Sequence, residues 1–279
     1  MTSSLLLSAA TFIYMAAAIF YILAWLFGKK SLGSLTTMVF LVALAANTAG
    51  FFLRWQESYA MGIGRIPLSN MYESLVFFAL CIATLYLVLE RKTAKKALGA
   101  LVSPLIFLLL AYASLSPKIG SEIRPLVPAL QSNWLTAHVV TCFLGYAGFA
   151  VAFVTSILFL LSPAKNENGG ESRFLPPQEV LDDLSYRMIV FGFLFLTIGI
   201  ITGSVWANSA WGSYWSWDPK ETWSLITWIV YAALLHLRLM RSWSGTRIAW
   251  LSILGFIAVL FTFFGVNYLL SGLHSYGSF

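Results

Sequence analysis

The chain has 279 residues, of which 59% are hydrophobic and 10% are charged, and its mean hydropathy is +0.81. A water-soluble domain of this length does not have so few charged residues, so the composition excludes a soluble globular protein. We attribute the formal net charge of +6 to membrane topology and not to nucleic-acid binding.

Long apolar runs predict an all-α fold, a polytopic integral membrane protein in which residues 1–279 form a single membrane domain. About 20 apolar residues are needed to cross a hydrocarbon core about 30 Å thick. Eight runs meet that length, near residues 5–27, 35–54, 72–90, 97–115, 134–162, 186–206, 223–241 and 248–270.

The distribution of Lys and Arg between the connecting segments predicts how the spans are oriented. One set of connections holds twelve of the 17 basic residues, and the opposite set holds five. We therefore assign the first set, including a flexible connection at 163–186, to the cytoplasm. Both termini and the connection at 207–223 then face outward. The first apolar run has no basic region before it, which predicts a retained helix and not a cleaved signal peptide.

Two short motifs predict local structure. Asn70 and Glu73 have the spacing of a capping box at the start of the third span. Gly199 and Gly203 form a G-x-x-x-G pattern in the sixth span, which is typical of closely packed helices.

The two cysteines do not indicate redox chemistry. Cys81 and Cys142 both fall inside predicted spans and have no C-x-x-C spacing. We interpret each as a small packing residue. Any thiol redox chemistry then belongs to another, thiol-reducing protein.

The most unusual segment is WGSYWSWDPKETW at 211–223, which lies between two apolar runs. Asp218, Pro219 and Glu221 are typical of a helix start, as N-cap, first residue and third residue of a capping box. The cap does not explain the aromatic residues Trp211, Tyr214, Trp215, Trp217 and Trp223. Two interpretations stay open: anchoring at the bilayer interface alone, and a site for a large planar aromatic ligand, which we favour.

The chain has three histidines. His138 lies just inside the outer end of the fifth span, and His274 follows the last span, so both are predicted on the outer side. His236 comes thirteen residues after Trp223, which places it about 20 Å below the outer surface. A histidine at a membrane surface is either a polar interface residue or a ligand. A buried one such as His236 either bonds a neighbouring helix or has a functional role.

The segment at 211–223 resembles the tryptophan-rich signature of the haem-handling membrane proteins of cytochrome c maturation. Its form Y-W-x-W-D-P-K-E-T-W resembles the CcsA (ResC) subunit of the two-component cytochrome c synthase. The segment P-L-S-N-M-Y-E-S at 67–74 is similar to a second segment of that family.

The resemblance implies that haem b is the ligand and that histidines hold its iron. His138 and His274 would ligate haem on the outer side and take part in catalysis, and His236 would receive it within the bilayer opposite a histidine of a CcsB (ResB) partner. Neutral imidazole is a common axial ligand of haem iron. The remaining haem-binding residues would be Trp211, Tyr214, Trp215, Trp217, Asp218, Lys220, Glu221, Trp223, Arg65, Asn70 and Glu73.

The implied activity is transfer of haem b across the membrane and its thioether attachment to the C-x-x-C-H segment of apocytochrome c. The protein would catalyse this reaction by positioning the reactants, and Lys220 would bind the haem propionates. The membrane would be a bacterial inner membrane or a thylakoid membrane, with the active face outward.

Three alternatives remain from the sequence. A haem carrier without lyase activity would share the same ligands. A haem-binding electron-transfer subunit would need paired histidines within the bilayer. A solute transporter would have broken spans with polar residues at the midplane.

Overall fold

The computed structural model describes residues 2–28, 30–93, 96–163 and 175–270. Eight helical segments in these ranges are long and apolar enough to cross a membrane, which confirms the predicted all-α, multi-pass class. The described residues contain no β-strand. The elements are α1 Ser3–Phe27, α2 Lys30–Ala60, α3 Met71–Thr93, α4 Ala97–Leu115, a 3-10 turn Pro128–Leu130, α5 Asn133–Leu161, α6 Gln178–Trp211, α7 Pro219–Arg241, α8 Thr246–Leu260, a π-helical turn Phe261–Gly265, and α9 Val266–Leu269.

The helices extend further into the connections than hydropathy predicts. Helix α6 begins at Gln178, directly after Pro177, so the last part of the predicted connection at 163–186 is helical, from residue 178 onward. At its other end α6 continues to Trp211, and α7 begins at Pro219. The non-helical part of the predicted connection at 207–223 is therefore only 212–218. Polar residues that continue a helix beyond the bilayer carry no hydropathy signal, which is why the boundaries differ.

The chain divides into two compact units, one containing α1–α4 and the other α5–α9. The prediction of a single membrane domain stays a prediction. The first unit has an aromatic core in which Tyr14, Tyr21, Phe40 and Tyr86 are fully buried. Their rings meet edge to face at centroid distances of 5.1–5.9 Å, an arrangement that favours aromatic pairs beyond the area they bury.

The second unit is built on the close approach of α5 and α6. A Cβ atom on Gly145 of α5 would lie 2.9 Å from the Leu196 nitrogen and 3.0 Å from the Gly192 oxygen. The two backbones are thus in direct contact, as small residues allow between membrane helices. On α6, Gly199 packs against Cys142 in the same way, which confirms the predicted close packing at the G-x-x-x-G pattern.

Candidate functional site

The tryptophan-rich segment forms a tight turn between α6 and α7. Gly212 ends α6 with a left-handed φ of 79°, a conformation that glycine adopts without steric cost. Asp218 is the N-cap of α7, Pro219 follows at the first helical position, and Glu221 completes the capping box. The helix start predicted at these residues is confirmed. Gly212 and this cap together fix the two ends of the turn.

Glu221 also holds the middle of the turn. Its Oε2 atom accepts hydrogen bonds from the Ser216 backbone N–H at 2.8 Å, the Ser216 hydroxyl at 3.2 Å and the Asp218 backbone N–H at 3.2 Å. These donors flank Trp217, whose φ is +59°. A left-handed backbone costs an L-residue about 1–2 kcal/mol. We call the contacts of Glu221 with Ser216 and Asp218 the Glu221 clasp, because they hold Trp217 in this conformation.

The turn exposes two of its aromatic side chains. Trp217 is 68% exposed and Tyr214 is 59% exposed. Trp215 is half-buried, and its ring meets that of Trp217 edge to face at 5.8 Å. The second unit therefore presents flat aromatic surface at the turn, as the interpretation of a planar-ligand site requires.

Two other predicted tryptophans pack against neighbouring aromatic rings. The ring of Trp211 meets that of Trp206 edge to face at 4.9 Å. The Trp223 ring lies 4.1 Å from that of Phe261 in the π-helical turn. These contacts pack the helix ends that flank the turn. Their assignment as haem-binding residues stays a prediction.

His138 is held on the α6 side of α5. Its Nδ1 atom lies 2.7 Å from the carbonyl oxygen of Gly199. Because a carbonyl oxygen only accepts, Nδ1 carries the proton, and in the neutral ring the lone pair is on Nε2. The ring also stacks on Trp206, with a centroid distance of 6.2 Å and an interplanar angle of 19°. A bond from one ring nitrogen to a carbonyl is the usual way in which a metal-binding histidine is oriented, so the site fits an iron ligand.

The structure directs Lys220 into the protein. Its Nζ atom donates to Asn267 Oδ1 of α9 at 3.0 Å. The carboxylate of Asp218 accepts the Lys220 backbone N–H at 2.9 Å, and Asp218 is buried. Contacts of Lys220 with propionates and of Asp218 with haem stay predictions. Asn267 is a partner that the sequence analysis missed.

His236 lies apart from this group, on the exposed side of α7, five residues before the helix ends at Arg241. Leu239 and Met240, which follow it, are 62% and 69% exposed. The side chain thus faces away from the packing of its own unit. His274 lies outside the described residues, so its predicted ligand role stays a prediction.

Arg65, Asn70 and Glu73 lie in the first unit, where Arg65 and Glu73 form a buried ion-pair cluster. The Glu73 carboxylate accepts from Arg65 at 2.6 and 3.1 Å and from Arg54 Nε at 2.9 Å. Asn70 Oδ1 accepts the Glu73 N–H at 2.8 Å, as the capping box predicts. The other half of that prediction is wrong, because the Glu73 carboxylate bonds the Ser69 N–H at 3.0 Å instead of that of Asn70.

These contacts give the cluster a structural role. The Glu73 side chain is 0% exposed and that of Arg54 is 3% exposed, so the buried carboxylate bonds its two arginines and the Ser69 N–H. Whether Arg65, Asn70 and Glu73 also contact haem stays a prediction.

The sequence analysis also missed Trp206 and the role of two glycines. Gly199, Gly203 and Trp206 lie at positions i, i+4 and i+7 of α6. Residues with this spacing share one helix face, and His138 packs on that face. The spacing was a signal, but nothing in the sequence indicates which residue of α5 it meets.

Together these features define a multi-pass helical membrane protein with an oriented histidine and a turn of exposed aromatic rings in one unit. A model of the family described as cytochrome c assembly protein matches residues 68–274. The cytochrome c biogenesis protein CcsA of Chlamydomonas reinhardtii is 48% identical over 231 residues, which cover 81% of this chain and 64% of that protein. CcsA of Prochlorococcus marinus (strain MIT 9303) is 40% identical in an alignment that covers 91% of this chain and 88% of that protein. The chain belongs to the cytochrome c assembly family, among its CcsA proteins.

A solved structure shares the fold. The cytochrome c haem lyase CcmF matches 95% of this chain with a TM-score of 0.74 and 19% sequence identity. The chain spans 47% of the length of CcmF. At this identity the likeness concerns the fold alone.

Proposed function

We propose that this protein moves haem b across the membrane and attaches it to apocytochrome c. Haem is the substrate. His236 receives it within the bilayer, and His138 and His274 ligate it on the outer side. The observation that carries the proposal is the oriented His138, whose Nδ1–H bond to Gly199 leaves the lone pair on Nε2. The exposed rings of Tyr214 and Trp217 in the same unit support it.

The attachment joins each cysteine thiol of the acceptor's C-x-x-C-H segment to a vinyl group of haem. A carbon–sulfur bond forms at one vinyl carbon, and the thiol hydrogen ends on the other. The described residues offer aromatic surfaces and a histidine ligand for this reaction. Because the addition needs no covalent enzyme intermediate, we attribute the acceleration to holding the thiols and vinyl groups in position. The acceptor's histidine then replaces one of the two outer ligands.

A CcsB (ResB)-type membrane subunit completes the inner site. Only 17% of the residues in the most apolar 18-residue stretch of α7 are buried inside the chain, and His236 lies on the exposed side of this helix. A polar ring on a lipid-facing surface is costly unless it has a partner, which supports a second histidine supplied by the other subunit. We place the protein in a bacterial inner membrane or a thylakoid membrane, with the tryptophan-rich turn outward.

The first test is the absorption spectrum of the protein purified with its CcsB-type partner. Wild type is expected to show a Soret band with the split visible bands of low-spin haem. His236→Ala should weaken the inner-site signal and His138→Ala the outer-site signal. Leu239→Ala is the matched control, because Leu239 lies one turn from His236 on the exposed side of α7. Preparations free of haem in every variant would contradict the proposal.

A second assay separates attachment from delivery. The complex is expressed with an apocytochrome c, and haem that remains on the acceptor after denaturing electrophoresis is measured. Covalent haem that depends on His138 supports attachment. Acceptor that carries haem only before denaturation would establish the alternative, a carrier without lyase activity.

A further inference from the structure

Gly203 provides the surface on which the His138 ring rests. A Cβ atom at position 203 would lie 2.5 Å from His138 Nδ1, 2.7 Å from Cε1 and 3.3 Å from Cγ. Carbon atoms do not approach ring atoms so closely without displacing them. Any side chain at 203 therefore moves the imidazole from its observed position.

Two more residues of the same α6 face restrain the ring. The Gly199 carbonyl accepts its Nδ1–H at 2.7 Å. Trp206 stacks on it at 6.2 Å. Trp206 is itself fixed, because its Nε1–H donates to the Ala129 carbonyl at 2.9 Å and its side chain is almost fully buried. The ring is restrained by packing, by a hydrogen bond and by stacking.

We propose that Gly199, Gly203 and Trp206 are positioning residues that set the rotamer and tautomer of His138 before haem binds. This inference rests on the proposed function, in which His138 is an iron ligand. The face of α6 directs the proton to Nδ1 and presents Nε2 in one orientation. A ligand held in this way does not lose rotational freedom when the iron arrives.

The chain offers a matched control on the same helix. A Cβ atom on Gly192 would lie 2.6 Å from the ring of Phe149 and 2.9 Å from the Gly145 oxygen. Gly192→Ala therefore crowds the α5–α6 contact without a direct effect on His138. Gly203→Ala crowds the same contact at the histidine.

The experiment compares Gly203→Ala, Gly192→Ala and His138→Ala, purified with the partner subunit. Gly203→Ala is expected to lower outer-site haem occupancy at least tenfold, as His138→Ala does, and added imidazole should restore the low-spin bands in both. Gly192→Ala should keep the wild-type spectrum even where its thermal unfolding temperature falls. A wild-type spectrum in Gly203→Ala, or the same spectral loss in Gly192→Ala, would overturn the positioning role while leaving the proposed function intact. An unchanged spectrum in His138→Ala would overturn both.

A second measurement needs no haem. The chain has only three histidines, so the imidazole ¹⁵N resonances of the haem-free protein can be assigned by substitution. His138 is expected in the Nδ1–H tautomer in wild type and in Gly192→Ala. If Gly203→Ala does not fold, Trp206→Leu serves as the test variant, because it keeps every glycine. His138 in Trp206→Leu should be a mixture of tautomers. A wild-type tautomer in Trp206→Leu would contradict the role of Trp206. An Nε2–H tautomer in wild type would overturn the inference and also remove the observation that carries the proposed function, which the spectrum of His138→Ala tests separately.

Discussion

Under the proposed function, removing the Glu221 carboxylate should release the exposed Trp217 of the turn and weaken haem binding about tenfold. The clasp includes two backbone N–H donors, from Ser216 and Asp218, and hydrogen bonds to a charged group contribute about 1.5–3 kcal/mol each. At the lower figure the two bonds supply about 3 kcal/mol. They oppose a left-handed strain of about 1–2 kcal/mol at Trp217.

The balance decides which turn conformation dominates. With the clasp, the observed turn is favoured by about 1–2 kcal/mol. In Glu221→Ala only the strain remains, so the turn is disfavoured by a similar amount and about one molecule in ten keeps the observed geometry. Apparent affinity falls in proportion to the competent fraction, which gives the tenfold loss. The free energy of unfolding should fall by about 1–2 kcal/mol as well, since that is the net advantage lost.

The assay is titration of the haem-free complex with haem, followed at the Soret band, together with thermal unfolding. Glu221→Gln is the control. All three donors use the Oε2 atom, and Oε1 is buried with no hydrogen-bond partner in the described part of the chain. A carboxamide oxygen can therefore accept all three bonds, although each bond to this neutral acceptor contributes only about 0.5–1.5 kcal/mol, so Glu221→Gln should lose less affinity than Glu221→Ala. Wild-type affinity in Glu221→Ala, alongside a loss in Trp217→Ala, would refute the reasoning. Equal losses in the Ala and Gln variants would show that the hydrogen bonds kept by the carboxamide do not hold the turn.

Two further predictions concern ion pairs. Glu73→Ala leaves two buried guanidinium groups without their carboxylate and should lower the free energy of unfolding by about 3–5 kcal/mol. The control is Arg124→Ala, which removes an ion pair whose side chains are 78% and 72% exposed and should change the free energy of unfolding by less than about 0.5 kcal/mol. Similar losses in both variants would contradict the structural role of the cluster. Arg238→Ala removes the bidentate ion pair with Asp182 at 3.0 and 2.6 Å and should lower the free energy of unfolding by about 1–2 kcal/mol, measured by the same thermal unfolding. If Arg238→Ala costs as much in a protein in which Asp182 has already been replaced, packing of the arginine stem, and not the ion pair, accounts for the effect.

The sequence predicted what depends on short-range patterns. The eight spans follow from the lengths of apolar runs, and each run corresponds to one helical segment that is long and apolar enough to cross a membrane. The helix start at Asp218 and Glu221 follows from spacing within a single turn, and the cap is complete. The start at Asn70 was predicted only in part, because Glu73 has stronger partners in two arginines that hydropathy placed in other segments.

The sequence did not predict contacts that depend on tertiary register. Gly203 and His138 are far apart in the chain, and no pattern links them. The pairing of Lys220 with Asn267 likewise depends on how α7 and α9 meet. The left-handed backbone of Trp217 contradicts the ordinary preference of its residue type. It depends on the surrounding hydrogen bonds, which the sequence does not show.

The length of α6 makes bilayer thickness a variable in this protein. Residues 188–211 carry no charge, and as a continuous helix this stretch is about 36 Å long, against a hydrocarbon core of about 30 Å. Such a mismatch is absorbed by tilt or by local change of the lipid. The same stretch includes Gly199, Gly203 and Trp206, which contact His138, and it leads into the tryptophan-rich turn. The height of that turn relative to the lipid is therefore set by the membrane as well as by the chain.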